Sequence, residues 1–240
     1  MKVIKVKDYQ ELSEVASKIF IDLIKEKPDC NLGLATGSSP LGLYEKLIES
    51  YKKGEISFKN VKTYNLDEYC ELPRNHEQSY FSFMHRNLFD HVDVSPENIN
   101  IPNSEVEDLE KECERYNNVL NANKIDLQLL GIGANGHIGF NEPGTSFTSQ
   151  TSIIELAEKT REDNKRFFNS IDEVPKYAIT MGIKNILDAK AIVLIANGKN
   201  KADAINKLIN GEVTEDFPAS ALKNHPNVTV IIDEEAASLL

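Results

Sequence analysis

The run IDLQLLGIGANGHIGFNEP, residues 125–143, joins an apolar segment directly to a glycine-broken loop. Ile125 to Leu130 is short and apolar enough for a buried strand. Gly131, Gly133, Gly136 and Gly139 then prevent a regular helix and let the backbone approach a ligand. In an open α/β sheet, ligands bind in the loops beyond the carboxyl ends of strands. His137 and Glu142 are therefore placed where titratable side chains do chemistry. The competing reading of this segment is a surface turn that happens to hold a histidine.

Outward from this run, apolar segments alternate with amphipathic ones along the whole chain. Candidate strands fall at 31–35, 61–65, 126–130, 177–180, 191–195 and 228–232. Candidate helices fall at 9–25, 40–52, 79–88, 105–121, 160–168, 199–209 and 234–239. That alternation predicts an α/β fold, a mostly parallel sheet with helices on both faces. With 240 residues, about 40% of them hydrophobic, one large domain over 1–240 is expected.

Composition narrows the partners. A net charge of -11 argues against nucleic acid and against an anionic membrane. It leaves room for a small anionic substrate at a locally positive site. No run approaches the roughly 20 apolar residues of a membrane helix. The N-terminus lacks a signal-peptide pattern. Cys30, Cys70 and Cys113 are scattered and odd in number, which suits a reducing cytoplasm and no metal cluster.

Two further loops follow candidate strands. LGLATGSSPLGLYEKL, residues 32–47, passes through Thr36, Gly37, Ser38 and Ser39 into a helix begun by Pro40. Free amides at a helix N-terminus favour an anion, although an ordinary cap uses the same residue types. The pattern is neither a P-loop nor GxGxxG, so a dinucleotide is not expected. VKTYNLDEYCELP, residues 61–73, places Asp67 beside Glu68. Neighbours on an extended backbone point opposite ways, so only one is expected to face a given pocket. Arg166 and Lys201 are candidates to meet a phosphate, with Lys199 a competitor to Lys201.

These residues resemble the glucosamine/galactosamine-6-phosphate isomerase family, in its glucosamine-6-phosphate deaminase branch. The resemblance is carried by LATGSSPLGLYEKL, YNLDEYCELP, SYFSFMHRNLFDHV, LLGIGANGHIGFNEPGTSF, VPKYAITMGIKNILDAK and NGKNKADAI, in order over about residues 32–210. It implies a Rossmann-like, three-layer fold with no cofactor, neither metal nor nicotinamide. It implies conversion of glucosamine 6-phosphate and water to fructose 6-phosphate and ammonia in amino-sugar catabolism. By the same resemblance, Asp67 would move a proton from carbon 2 to carbon 1 of the opened sugar. His137 would assist ring opening, and Glu142 would orient it. Gly37, Ser38, Ser39, Arg166 and Lys201, with Thr36 beside them, would hold the 6-phosphate.

Two departures from the family pattern matter. Asn135 stands where many members have Asp. An Asn can hold an imidazole by a hydrogen bond but cannot stabilise imidazolium by charge. Glu142 is therefore expected to be the acidic partner of His137, with Asn135 in a positioning role. Ser152 and Ile154 stand where allosteric members carry Arg and Lys, and the chain ends soon after Asp233. Hyperbolic kinetics and a monomer or small homo-oligomer are expected. The alternatives are a 6-phosphogluconolactonase-like hydrolase and a non-catalytic sugar-phosphate sensor. The NEP after His137 and the NLDEY segment favour the deaminase. A chain that begins at its first strand, with no helix-turn-helix ahead, argues against the sensor. The segment 145–161, with its Ser/Thr-rich stretch at 146–152, is a candidate lid.

Overall fold

The computed structural model describes residues 1–156, 158–165 and 168–240, with backbone alone at 159 and 163. The elements run β1 (Lys2–Val6), α1 (Tyr9–Glu26), β2 (Asn31–Leu34), α2 (Leu41–Lys52), β3 (Lys62–Asn65), β4 (Asp67–Tyr69), α3 (Tyr80–Asn87) and β5 (Ile99–Asn100). They continue as α4 (Leu109–Ala122), β6 (Leu127–Leu130), β7 (Ser152–Glu155), α5 (Glu158–Asn164), β8 (Tyr177–Thr180), α6 (Ile183–Leu187), β9 (Ile192–Ala196), α7 (Ala202–Asn210) and β10 (Val228–Asp233).

Seven strands form one sheet in the order β1-β10-β9-β6-β2-β3-β5. Every pairing in it is parallel. Its central strands β6 and β9 are buried at every position, Gln128 included, because helices cover both faces of a three-layer α/β fold. Helix α1 begins where the Asp8 side chain accepts the Glu11 amide at 3.0 Å. Leu12, Ala16, Phe20 and Ile24 then recur every four residues and are buried. Truncating a side chain such as Phe20 to Ala in this layer would cost about 3–5 kcal/mol.

A second, antiparallel sheet of order β4-β8-β7 was not expected. The strand at 177–180 is present but pairs here, outside the parallel sheet. The chain enters this small sheet through one residue, Leu66, which separates β3 from β4. Leu66 donates its amide to Leu34 O at 3.2 Å and accepts Met181 N at 2.7 Å, so it binds both sheets. The small sheet is buried on both faces. Tyr69 and Ala178 pack with Phe140 and Leu156, while Cys70 and Ile179 pack with Cys113. All three cysteines are buried free thiols, and burial pushes Cys30 and Cys70 up to about 12 and Cys113 to about 11.

Three helix expectations change. Residues 234–239 form turns, because Asp233 closes a single turn to Ala236 and Ala237 that is too short to propagate. The helix expected from 105 begins at Leu109, where Asp108 caps the Lys111 amide. The one expected at 160–168 is found as α5. Among the described residues, no helix is long and apolar enough to cross a membrane.

Candidate active site

The chain leaves β2 towards β3 and β5 on one side, and returns as β6 on the other. The crevice at the carboxyl ends of β2 and β6 is thus a topological switch point. Four segments meet there: 36–39 after β2, Asp67 two residues after β3, 131–143 after β6 and 197–201 after β9. They are tied to one another. Ser39 Oγ donates to Asn197 Oδ1 at 2.9 Å, and Lys201 Nζ donates to Ile132 O at 2.8 Å. A methyl group at Gly139 would stand 3.5 Å from Asp67 Oδ2 and 3.1 Å from Thr180 Oγ1.

The 36–39 segment is held open from outside. Tyr9, on α1, directs its hydroxyl to Ser38 O and Ser39 O at 3.1 Å and accepts the Gly42 amide at 2.9 Å. Gly37 has φ 98°, which side chains other than glycine rarely adopt. Among the described residues, the amides of Gly37, Ser38 and Ser39 donate to no backbone or side-chain group. Those free donors lie at the start of α2, where the helix dipole also favours negative charge. Lys201 is half-buried against the 131–143 loop, whereas Lys199 is exposed.

The 131–143 loop folds on itself around the histidine. Gly133 N donates to His137 O at 2.9 Å, and Gly136 N to Gly133 O at 3.0 Å. The imidazole lies against Gly133, where a Cβ would meet its ring at 2.3 Å. Gly136 has φ 86° and faces the Phe217 ring, so it also tolerates no side chain. His137 Nδ1 is 3.6 Å from Glu142 Oε1, an electrostatic contact too long for a good hydrogen bond. Glu142 Oε2 accepts Asn135 Nδ2 at 2.7 Å, and Oε1 accepts Thr160 Oγ1 at 2.5 Å. Burial raises this carboxyl, but His137, Thr160 and Asn135 outweigh it and bring it down to about 2. Asn135 does not hold the imidazole itself. Its carbonyl accepts the His137 amide at 3.2 Å and its NH₂ serves the carboxylate, because the loop turns its side chain inward.

Asp67 and Glu68 part as alternation requires. Glu68 turns away from the crevice and caps α3, accepting the amides of Tyr69, Tyr80 and Phe81 at 2.8–2.9 Å. Asp67 is 6% exposed. Burial first, and then the Glu68 charge, push it up to about 8. The wall beside it is aromatic: Tyr69 and Tyr80 have ring centroids 4.8 Å apart, and Phe140 packs on both. Asn164 Nδ2 donates to the Tyr69 hydroxyl at 3.0 Å, and Thr36 meets the Tyr80 phenol.

The crevice thus gathers Thr36, Gly37, Ser38, Ser39, Asp67, Asn135, His137, Glu142 and Lys201. Arg166 lies outside the described residues. Sequence reasoning missed Tyr9, Asn197 and Thr160. Their contacts span from 18 to 158 positions along the chain, and no local pattern marks them. Among the described residues, no three His, Cys, Asp or Glu side chains form a group that could hold a metal ion. The arrangement offers amides and an ammonium for a dianion, a carboxyl poised near neutral pH, and an imidazole backed by an ionised carboxylate.

Comparison with known proteins shows the family. Residues 7–231 match the family described as glucosamine-6-phosphate isomerases/6-phosphogluconolactonase. A glucosamine-6-phosphate deaminase of Thermoanaerobacter pseudethanolicus is 56% identical over all of this chain and 95% of its own length. Glucosamine-6-phosphate deaminase 1 of Bacillus subtilis is 52% identical over all of this chain and 99% of its own. A solved structure described as a monomeric glucosamine-6-phosphate deaminase superposes with TM-score 0.97 at 52% identity, each chain fully covered. A 6-phosphogluconolactonase from Trypanosoma cruzi, at 21% identity and TM-score 0.79 over all of this chain and 96% of its own, shares the fold alone.

Proposed function

This chain belongs to the family of glucosamine-6-phosphate isomerases and 6-phosphogluconolactonases, and we infer that within it the chain is an enzyme of the deaminase branch. It converts glucosamine 6-phosphate and water to fructose 6-phosphate and ammonia. The observation that carries the residue assignment is the convergence of free amides, a buried carboxyl and a carboxylate-backed imidazole at one switch point.

In this reading the 6-phosphate sits on the amides of Gly37, Ser38 and Ser39, with Lys201 as its countercharge and Arg166 as a second. Thr36 borders the same anion. The phosphate is remote from the reacting carbons, so its binding energy is used to position them. His137 shuttles a proton between the anomeric hydroxyl and the ring oxygen to open the sugar. Glu142 stabilises the imidazolium that forms, and Asn135 steadies Glu142. Asp67 then removes the proton from carbon 2, giving an enolamine, and returns it to carbon 1. Water adds to the resulting imine at carbon 2, and ammonia leaves. A carboxyl raised to about 8 suits this task, since a base near the working pH gives and takes a proton with little penalty.

The similarity to the monomeric relative supports a monomer, and residues 1–240 are read as one domain working on a small sugar phosphate without nucleic acid. A cytoplasmic location fits amino-sugar catabolism. The experiment is ammonia and fructose 6-phosphate release from glucosamine 6-phosphate, wild type against Asp67→Asn. Equal amounts of both products are expected from the wild type, and about 10²–10⁴-fold slower release from the variant. A folded wild type that releases neither would overturn the reading, and hydrolysis of 6-phosphogluconolactone would then be measured.

A further inference from the structure

Glu142 has two carboxylate oxygens, and each is held by a neutral donor from a different part of the chain. Asn135, on the same loop, takes Oε2. Thr160, on α5, takes Oε1 at 2.5 Å, and Oε1 is also the oxygen that faces His137 Nδ1. The Thr160 side chain is almost wholly buried, at 8% exposure, so this hydroxyl has no bulk water as an alternative partner. One helical turn later, on the same face of α5, Asn164 donates to the Tyr69 hydroxyl. Tyr69 ends the short strand that Asp67 begins. One polar face of a seven-residue helix thus reaches the two segments that carry the proton-moving groups.

From this geometry we propose that Thr160 is a positioning residue for the reaction, fixing the oxygen of Glu142 that faces the imidazole. The Asn135 contact lies within one loop and survives any displacement of α5. The Thr160 contact does not, so it makes the His137–Glu142 pair depend on where α5 sits. A carboxylate freed of this bond can rotate its Oε1 away from Nδ1, and a hydrogen bond that stabilises its charged form is lost.

The proposal rests on the deaminase reading, and its test separates the two. Thr160→Val keeps the shape and removes the hydroxyl, while Thr160→Ser keeps the hydroxyl. With glucosamine 6-phosphate, kcat of the Val variant is expected to fall about tenfold with KM changed less than about twofold. The acid limb of its pH profile should move to higher pH, and the Ser variant should restore both. Titration of the Glu142 carboxyl by carbon-13 NMR in the ligand-free protein should show the same upward movement without any turnover. An inactive wild type would therefore sink the deaminase reading while this titration still judged Thr160. A Val variant with wild-type kcat, pH profile and Glu142 titration would overturn the proposal. So would a Ser variant as impaired as Val, since the loss would then be one of packing. If Val does not fold, Thr160→Ala takes its place in every comparison.

Discussion

Asp67 is held in an environment that favours its uncharged form. Its folded value, about 8, lies above that of an unfolded Asp. A carboxyl raised in this way binds an extra proton in the folded state. Its stabilising contribution is complete below about pH 4 and is lost as pH rises through about 8. Asp67→Asn should therefore do two opposite things at pH 7: slow turnover about 10²–10⁴-fold, and stabilise the fold by on the order of 2–4 kcal/mol. Thermal melts of both proteins from pH 4 to 8 check this, and equal melting temperatures at pH 7 would contradict it. Glu142 lies at the other extreme, lowered to about 2, so it stays ionised throughout the working range. Glu142→Gln keeps the shape but leaves the imidazolium without its countercharge. A ten- to hundredfold drop in kcat with an altered pH–rate profile is expected. An unaltered profile would show that Glu142 is not the partner that matters.

Among the elements, α1 and α3 do more than cover the sheet. Glu68 caps α3 and thereby faces away from Asp67's pocket. This division was readable in the sequence, because adjacent residues on a strand must diverge. Tyr9 on α1 braces the 36–42 turn from 29 to 33 positions away, which no local pattern announces. In Tyr9→Phe the Gly42 amide and two carbonyls lose a shared partner. KM for the phosphorylated substrate should rise about three- to tenfold with kcat nearly unchanged, at a stability cost of about 1–2 kcal/mol. Steady-state kinetics and urea unfolding measure the two parts. The long helices were legible from their periodicity, and strands such as β6 and β9 from apolar runs bounded by turn residues. β4, β5 and β7 were not, since such short segments become strands only through their partners, and β1 was given no range because its lysines and exposed positions leave no continuous apolar run. The site followed the same division. Loops after strong strands could be read, but the role of α5 depends on Thr160 and Asn164 meeting residues 18 and 95 positions away.

Across the whole molecule, the proposed anion site on this acidic chain concentrates backbone donors and the Lys201 ammonium at a single crevice. The net charge of -11 therefore describes the surface and not the site. The expectation of hyperbolic kinetics concerns two residues of the small sheet. Ser152 on β7 is exposed and uncharged, and Ile154 packs against the Tyr69 cluster. Neither side chain can pair with a phosphate by charge. Rate against glucosamine 6-phosphate concentration is expected to be hyperbolic and unmoved by N-acetylglucosamine 6-phosphate. Light scattering should return the monomer mass of about 26.9 kDa. Sigmoidal rates abolished by that ligand, or a stable hexamer, would contradict both expectations.

The three buried thiols turn the protein into its own stopwatch. Cys30 sits in the main core, while Cys70 and Cys113 lie beneath the small sheet. Burial keeps all three protonated and shielded, so an alkylating reagent reaches them only when their surroundings open. The order in which they are labelled dates the opening of one sheet against the other. Because β4 carries Asp67 at one end and runs on into Cys70, the Cys70 interval also times how long the strand bearing Asp67 stays in place.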